Sequence, residues 1–316
     1  MKAYHGTREA FAAALLTLAE QDPSVLFVSC DSLKAMRAVA FAERYPDRTV
    51  ECGIAEQGGI DTAAGLAACG CRPFVGTYAG FLTMRACEQM RTFVAYPNLN
   101  VKFIGINAGL IGGEREGVTH QFYEDLAIVS ALPHFTIFTP ADAAQTYHAV
   151  LEAYKTPGPV YVRCGSGREP DVYEKDAAFS ETGVTIHTRG SGRVVLFSCG
   201  FVLDRVLAAA ELLEKRGIAV TVADINRLYG ARPEAIVRLL EKAENVFTIE
   251  DHNINGGLGS YICHLACAYA PVRVQRIGLS SFGESGPAKE LTDAYGLSPE
   301  AIAKTVETAC KEAQRG

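Results

Sequence analysis

Apolar positions fall into short continuous runs that alternate with longer segments of helical period. In the first half of the chain the apolar runs predict buried strands at residues 25–30, 101–106, 135–138 and 160–164. The segments between them predict helices at residues 8–20, 55–68, 81–96 and 141–154. Buried strands separated by helices are typical of a parallel sheet that is covered on both faces.

The same alternation returns in the second half after a polar interval. Strands are predicted at residues 194–198, 218–222, 246–249 and 272–277, and helices at residues 202–215, 233–243, 258–269 and 299–313. Residues 165–189 are polar and have no long period. The pattern therefore predicts an α/β protein of two domains, each a largely parallel sheet flanked by helices, at 1–168 and 191–316 with a linker at 169–190.

Composition narrows the class of protein. The chain has 316 residues, 48% of them hydrophobic, and a formal net charge of −6, which gives no basic footprint for nucleic acid. No apolar run reaches the roughly 18 residues of a membrane span, and the first residues lack the apolar segment of a signal peptide. The ten cysteines lie mostly in apolar runs, which favours reduced thiols. We therefore expect a cytoplasmic protein that binds neither nucleic acid nor a membrane.

The strongest candidate for chemistry is the run Glu-Cys-Gly-Ile-Ala-Glu-Gln at residues 51–57. It places Glu56 at the junction of a strand and a helix, where an acid also complements the helix dipole. The helix that follows contains Gly58, Gly59 and Gly65, and glycine inside a helix lowers stability unless close packing compensates. A helix with so few bulky side chains is suited to packing closely against another helix or a cofactor.

Aromatic and imidazole groups add further candidates. Tyr78 and Phe81 lie three residues apart and are candidates for a binding pocket. The alternative is that both pack in the core, as such aromatic residues usually do. His120 lies in a Thr-His-Gln run after the glycine-rich loop 109–113, which itself follows a predicted strand. Because α/β proteins usually bind ligands at strand ends, His120 is a candidate site residue.

Nearly the whole chain resembles the C-terminal half of transketolase, which consists of a pyrimidine-binding domain and a C-terminal domain. The resemblance is closest to the separate C-terminal subunit of split transketolases. It rests on motifs that follow the order of the family, at residues 46–48, 52–57, 64–67, 81–83, 100–102, 119–121, 124–127, 140–142, 158–163, 249–252 and 256–260. The resemblance implies a subunit of an enzyme that uses thiamine diphosphate to transfer a two-carbon ketol group from a ketose to an aldose.

The resemblance assigns cofactor and catalytic roles to four residues. Glu56 corresponds to the catalytic carboxylate that protonates the aminopyrimidine ring of thiamine diphosphate. Phe81 corresponds to the ring that stacks on the aminopyrimidine, and Tyr78 is expected to line the same pocket. His120 corresponds to a catalytic histidine that contacts the hydroxyl and carbonyl groups of the sugar donor.

Three other residues are expected to bind substrate. Arg163 matches a contact for the distal anion of the sugar, because a guanidinium pairs well with phosphate or sulfonate oxygens. A structural ion pair is the alternative role for Arg163. Arg8 is expected to serve the same anion. Asn107 stands where members of the family have a histidine that faces the substrate.

The loop 107–117 departs from the family pattern at more than one position. Arg115 is an inserted residue, and Glu116 or Glu114 replaces an aspartate that distinguishes donor stereochemistry. These differences leave the identity of donor and acceptor open. They suggest an unusual sugar or a modified distal anion. Whether the substrate carries phosphate, sulfonate or neither stays open.

Half of the expected cofactor site is missing from the sequence. The Gly-Asp-Gly segment followed by asparagine, which holds metal and diphosphate in this family, does not occur, and we assign no metal ligand to this chain. The resemblance therefore implies a separate N-terminal, diphosphate-binding transketolase subunit, which holds most of the contacts to Mg²⁺. A heterotetramer with two copies of each subunit is the family expectation.

Other interpretations of the same motifs stay open. A deoxyxylulose-phosphate-synthase-like enzyme shares the Thr-His-Gln signature, but it is normally a single chain. A 2-oxo acid dehydrogenase beta-like subunit would lack this signature at residues 119–121. A non-catalytic structural subunit would have no need of Glu56.

Overall fold

The structure, a computed structural model, describes residues 4–175, 177, 179–230 and 232–313. Within these residues the chain forms one sheet of seven strands and one of five, and helices lie between the strands in sequence. None of the helices in these ranges is both long and apolar enough to cross a membrane. The prediction of two α/β domains is confirmed by this architecture.

The larger sheet is parallel except at one edge. Its strands are β1 (Val25–Ser29), β2 (Thr49–Glu51), β3 (Arg72–Tyr78), β4 (Lys102–Ile106), β5 (Thr136–Phe138), β6 (Val160–Arg163) and β10 (Arg227–Tyr229). Their order across the sheet is β10-β5-β6-β4-β3-β1-β2, and β10 runs antiparallel to β5. The central strands are buried along their length, as continuous apolar runs predict.

Helices cover both faces of this sheet. They are α1 (Thr7–Gln21), α2 (Val39–Arg44), α3 (Glu56–Ala68), α4 (Cys87–Gln89), α5 (Asp125–Ser130) and α6 (Ala143–Lys155). Asp142 caps α6, because its carboxylate accepts a hydrogen bond from the backbone N–H of Gln145 at 2.8 Å. The single helix predicted at 81–96 is instead interrupted. Two π-helical segments, Phe81–Arg85 and Met90–Ala95, flank α4, and such wide turns are frequent at functional sites.

The smaller sheet belongs to the second half of the chain. Its strands are β7 (Val184–Thr188), β8 (Val194–Cys199), β9 (Thr221–Ile225), β11 (Asn245–Asn253) and β12 (Val274–Leu279), in the order β12-β11-β8-β9-β7. Its helices are α7 (Leu203–Lys215), α8 (Pro233–Leu240), α9 (Leu258–Tyr269), α10 (Ala288–Ala294) and α11 (Pro299–Ala313). The strand predicted at 218–222 is displaced and begins at Thr221.

The predicted linker at 169–190 contains one strand of the smaller sheet. β7 pairs antiparallel with β9, and each of its residues is partly exposed. An edge strand with two half-exposed faces has no continuous apolar run. Its signal is instead the alternation of apolar and polar residues at 184–188, which the prediction from apolar runs misses. The polar interval therefore includes the first strand of the second domain.

The two sheets are joined by backbone pairing and by a shared core. β10 comes from the second half of the chain but extends the larger sheet beyond β5. Beside it, the backbone N–H of Thr139 donates to the carbonyl of Asn226 at 2.9 Å. One hydrophobic cluster contains Phe103 and Ile137 of the larger sheet together with Phe197 of the smaller one. The larger sheet is thus joined to the second domain along its β5 side and through the shared core.

Candidate active site

The residues expected to carry chemistry collect at the carboxyl edge of the larger sheet. β1, β2, β3 and β4 run parallel, so their carboxyl ends share this edge. Tyr78 is the last residue of β3, Asn107 follows β4, and Glu56 begins α3 shortly after the end of β2. Open parallel sheets bind ligands outside this edge.

Glu56 is buried in the first turn of α3. Gly53 makes the turn out of β2 with a φ of 68°, a conformation that favours glycine. The Glu56 side chain is 2% exposed, and its Oε1 accepts a hydrogen bond from Nη1 of Arg85 at 2.7 Å. Its Oε2 is buried and has no hydrogen-bond partner among the described residues. A buried carboxylate oxygen without a partner is costly, and it is free to meet a ligand.

Three ring side chains surround Phe81. The ring centroids of Tyr78 and His120 each lie 5.4 Å from that of Phe81, and the Phe122 centroid lies at 5.3 Å. The interplanar angles are 49°, 74° and 69°, so these neighbours are tilted or edge-on to Phe81. Tyr78 and His120 also contact each other at 5.3 Å. The structure therefore brings Phe81, Tyr78 and His120 into one neighbourhood.

Two glycines allow this close arrangement. A Cβ on Gly80 would lie 2.0 Å from Cδ1 of Phe122. The backbone at residue 80 can therefore approach the Phe122 ring only because Gly80 has no side chain. A Cβ on Gly113 would lie 2.1 Å from the carbonyl oxygen of His120. The positions of Phe81 and His120 are consequently fixed by backbone contacts as well as by ring packing.

Arg8 and Asn107 form a polar pair beside the aromatic group. Asn107 has a φ of 54°, and its Oδ1 accepts a hydrogen bond from Nη2 of Arg8. Burial lowers the pKa of the Arg8 guanidinium, an effect that nearby Tyr78 and Glu169 oppose. A partly buried guanidinium close to Tyr78 is suitably placed for an anionic group that enters the site.

Arg163 lies outside this neighbourhood, at the junction of the two domains. Its side chain is 1% exposed, its Nε donates to Oδ2 of Asp125 at 2.9 Å, and its Nη2 donates to the carbonyl of Asp251 at 2.8 Å. Burial alone would lower the pKa of Arg163, but Asp125 outweighs it and the pKa is raised. This geometry corresponds to the structural ion pair that is the alternative role for Arg163, so we leave Arg163 out of the substrate site.

Sequence reasoning missed Arg85. Its Cζ lies 4.2 Å from the centroid of the Phe81 ring, in addition to the ion pair with Glu56. The available signal is the spacing of four residues from Phe81, which places both side chains on one side of a helical turn. The spacing predicts proximity, but it does not identify Glu56 as the partner.

Sequence reasoning also missed a cavity between the domains. Glu114 is 5% exposed, and its Oε1 lies 2.6 Å from Nη2 of Arg168. Both residues line a cavity of about 320 Å³, to which the second domain contributes Arg205. Arg115 and Glu116, the other altered positions of the loop, are exposed. Within the described part of the chain no group of three or more His, Cys, Asp or Glu side chains is arranged to hold a metal ion.

Comparison with known proteins gives two family matches and relatives of similar length. Residues 4–167 match the transketolase pyrimidine-binding domain, and residues 183–302 match the transketolase C-terminal domain. A 6-deoxy-6-sulfo-D-fructose transketolase subunit from Clostridium sp. is 32% identical over 95% of this chain and 93% of its own length. An apulose-4-phosphate transketolase subunit from Phocaeicola vulgatus is 33% identical over 94% of this chain and 95% of its own.

A solved structure agrees with these matches. It is described as a split gene transketolase in an inactive beta4 tetramer, and it is 34% identical to this chain. It superposes with a TM-score of 0.87 over 97% of this chain and 98% of its own. Because both domain matches and the relatives extend over nearly the whole length, the chain belongs to the transketolase family.

Proposed function

We propose that the chain is the pyrimidine-side subunit of a split, thiamine-diphosphate-dependent transketolase, which transfers a two-carbon ketol group from a ketose to an aldose. The observation that carries this proposal is the buried Glu56. Its Oε2 is unpartnered, and its Oε1 binds the same Arg85 that lies over the Phe81 ring. The relatives named above are transketolase subunits of matching length, which supports the same reaction.

The residues present fit the aminopyrimidine end of the cofactor. Oε2 of Glu56 supplies a buried oxygen for a ring nitrogen, and it would hold a proton at that atom. Phe81 supplies an aromatic surface against which a planar ring packs well, and Tyr78 forms a wall of the same pocket. When it is bound, thiamine diphosphate supplies the nucleophilic carbon that takes up the two-carbon unit.

The remaining residues suit the sugar. His120 is partly exposed and borders both Tyr78 and Phe81, so its imidazole can exchange a proton with a hydroxyl or carbonyl oxygen of the donor. Arg8, held by Asn107, would bind the distal anion of the sugar.

The other half of the cofactor site belongs to a partner in this proposal. An N-terminal, diphosphate-binding subunit would hold Mg²⁺ and the diphosphate, and two copies of each subunit would form a heterotetramer. The support is that the chain matches the pyrimidine-binding and C-terminal domain families, and that its relatives are named as subunits. Apolar side chains exposed near the site, Ile54 at 75% and Met84 at 43%, are available for such an interface.

Ketol transfer by the reconstituted pair tests the proposal. The chain alone, the partner alone and the mixture are assayed with thiamine diphosphate and Mg²⁺ against phosphorylated and sulfonated ketose donors. We expect activity only in the mixture, and a loss of about 10²–10⁴-fold in kcat for Glu56→Gln. Glu43→Gln, which changes an exposed acid of α2, is the matched control and retains activity.

Two results would contradict the proposal. Activity of this chain without a partner would mean that it carries its own diphosphate site. A stable complex that binds cofactor but transfers no ketol group from any donor would favour the non-catalytic subunit.

A further inference from the structure

The Arg85 side chain contacts both Glu56 and Phe81, the two residues that the proposed function assigns to the aminopyrimidine ring. Nη1 of Arg85 is 2.7 Å from Oε1 of Glu56, and Cζ of the same guanidinium is 4.2 Å from the centroid of the Phe81 ring. A planar cation over a ring and against a carboxylate satisfies the same two surfaces that a stacked, hydrogen-bonded heterocycle would use.

We propose that Arg85 is a positioning residue that covers the aminopyrimidine pocket in the subunit without cofactor and moves away when the cofactor binds. This inference rests on the proposed function, because it requires Glu56 and Phe81 to be the contacts of the ring. It adds a residue and a step that the family assignment does not supply.

The burial of the two charged groups decides which of them moves. The Glu56 side chain is 2% exposed and lies in the first turn of α3, whereas the Arg85 side chain is 45% exposed. A buried carboxylate that leaves its place loses its packing, while a half-exposed guanidinium can exchange its partner for water. Arg85 is therefore the mobile member of the pair.

The backbone around Arg85 permits this motion. Arg85 ends a π-helical segment, and the next residue, Ala86, leaves helical geometry with a φ of −119° and a ψ of 28°. The carbonyl of Arg85 accepts a hydrogen bond from Nε2 of Gln57 at 3.3 Å, which ties the backbone to α3. A rotation about the side-chain bonds of Arg85 can thus uncover Phe81 while the segment stays in place.

The unpartnered Oε2 of Glu56 is independent evidence that the pocket is built for a ligand. Arg85 satisfies Oε1 only, and no described residue donates to the second oxygen. Oε2 is therefore available to a group that enters the pocket.

Cofactor binding to the reconstituted pair of subunits tests the inference with a readout other than activity. Thiamine diphosphate association rates and dissociation constants are measured by stopped-flow and titration calorimetry, in the presence of Mg²⁺. The variants are Arg85→Met, which removes charge and planarity, and Arg85→Lys, which keeps the charge. Arg91→Met is the matched control, because Arg91 is an exposed arginine of the same region.

We expect Arg85→Met to associate with the cofactor about tenfold faster than the wild type and to bind it more tightly, since no side chain must be displaced. Arg85→Lys is expected between Arg85→Met and the wild type, because lysine pairs with Glu56 but covers Phe81 poorly. Arg91→Met binds like the wild type. Arg85→Met should lower the melting temperature of the free chain, because buried Glu56 loses its cation, whereas Arg85→Lys should not. Faster association with the cofactor is the result that a purely structural role would not produce.

The possible failures are distinguishable. If the wild-type pair binds no thiamine diphosphate, the proposed function fails and the role of Arg85 fails with it. Suppose instead that the wild type binds the cofactor, and that Arg85→Met either associates with it at the same rate or binds it more weakly. Then only the role of Arg85 is overturned. In that case Arg85 would be a permanent part of the cofactor site.

Discussion

Two acid–arginine pairs in this chain have similar geometry and very different surroundings. Glu56 and Arg85 are 2.7 Å apart, with side-chain exposures of 2% and 45%. Asp125 and Arg163 are 2.9 Å apart, with exposures of 0% and 1%. The first pair lies at the candidate active site, and the second lies where the larger sheet meets the second domain.

The two pairs differ in the other groups that they contact. Asp125 also accepts a hydrogen bond from the hydroxyl of Tyr161 at 2.7 Å, and Arg163 reaches across to the carbonyl of Asp251 in β11. These bonds join both domains, so the pair has a permanent structural role. At the site, Arg85 is half in solvent and lies over the Phe81 ring, so it can leave Glu56 without breaking a contact between the domains.

The largest expected effect comes from breaking the buried pair. Arg163→Met leaves Asp125 as an uncompensated buried charge, so the free energy of unfolding should fall by about 3–5 kcal/mol. Arg193→Met removes an exposed pair with Glu244 and should leave the free energy of unfolding nearly unchanged. Urea denaturation of both variants measures the difference. Equal losses would show that the domain junction does not depend on Arg163.

The pH dependence of stability should sharpen the same contrast. His252 lies beside Asp125, Glu250 and Arg163, and burial lowers the pKa of His252 to about 4. The pKa of His252 is lower in the folded than in the unfolded chain. The contribution of neutral His252 to the free energy of unfolding is therefore fully present above about pH 6.5 and is lost as the pH falls towards 4.

His252→Gln should therefore lose less stability than the wild type between pH 6.5 and 4. The difference is at most about 3 kcal/mol, from about 1.4 kcal/mol for each pKa unit. His264→Gln, which changes an exposed histidine, should follow the wild type. Denaturant midpoints across this pH interval provide the measurement. Parallel curves for His252→Gln and the wild type would contradict the assignment of this acid sensitivity to His252.

A moderate effect is expected from a methyl group placed beneath the site. The Cβ of Gly80→Ala would lie 2.0 Å from Cδ1 of Phe122, so the ring must shift, at a cost of about 1–3 kcal/mol in stability. Because Phe122 contacts Phe81, binding of thiamine diphosphate should weaken as well.

Gly65→Ala is the matched control within α3. No atom lies within 4 Å of its added Cβ, so the free chain should gain about 0.5–1 kcal/mol from helix propensity. Thermal unfolding of the free chain and cofactor titration of the complex compare the two variants. A stable Gly80→Ala form with unaltered cofactor affinity would argue that Phe81 is not a cofactor contact.

The smallest expected effect concerns the choice of donor. Asn107→His changes the group that accepts the hydrogen bond from Arg8, and imidazole is larger than the amide it replaces. We expect the ratio of kcat/KM for a phosphorylated and a sulfonated ketose to change by about tenfold or less, since a single contact of this kind contributes roughly 1–1.5 kcal/mol. An unchanged ratio would remove Asn107 from the determinants of donor preference.

The sequence predicts much of the fold because most strands are buried on both faces. Apolar runs identify β1, β4, β6 and β8 to within a residue or two, and helical periods identify α1, α3, α7 and α9. β3, β7 and β10 are not predicted. β7 and β10 lie at sheet edges, whereas β3 is a buried central strand whose sequence contains Pro73 and Gly76. The helix at 81–96 is predicted as unbroken, since its π-helical turns depend on packing around Gly80 and Phe122.

The site is predicted less completely than the fold. Family motifs identify Glu56, Phe81 and His120, and the structure brings these residues together. Motifs do not separate the two roles of Arg163, because burial and the partner Asp125 are properties of the folded chain. Arg85 is missed for the same reason, since its contact with Glu56 joins two helical segments that pack only in three dimensions.

The strand β10 has a consequence for how the chain responds to proteolysis. Lys175 is exposed between the two domains, at a natural position for cleavage. A cut there separates the sequence into two fragments, yet the second fragment still supplies β10 to the sheet of the first, and the shared apolar cluster spans both. The nicked protein should therefore remain a complex until it is denatured. Either fragment made alone would expose an unpaired sheet edge and associate with itself.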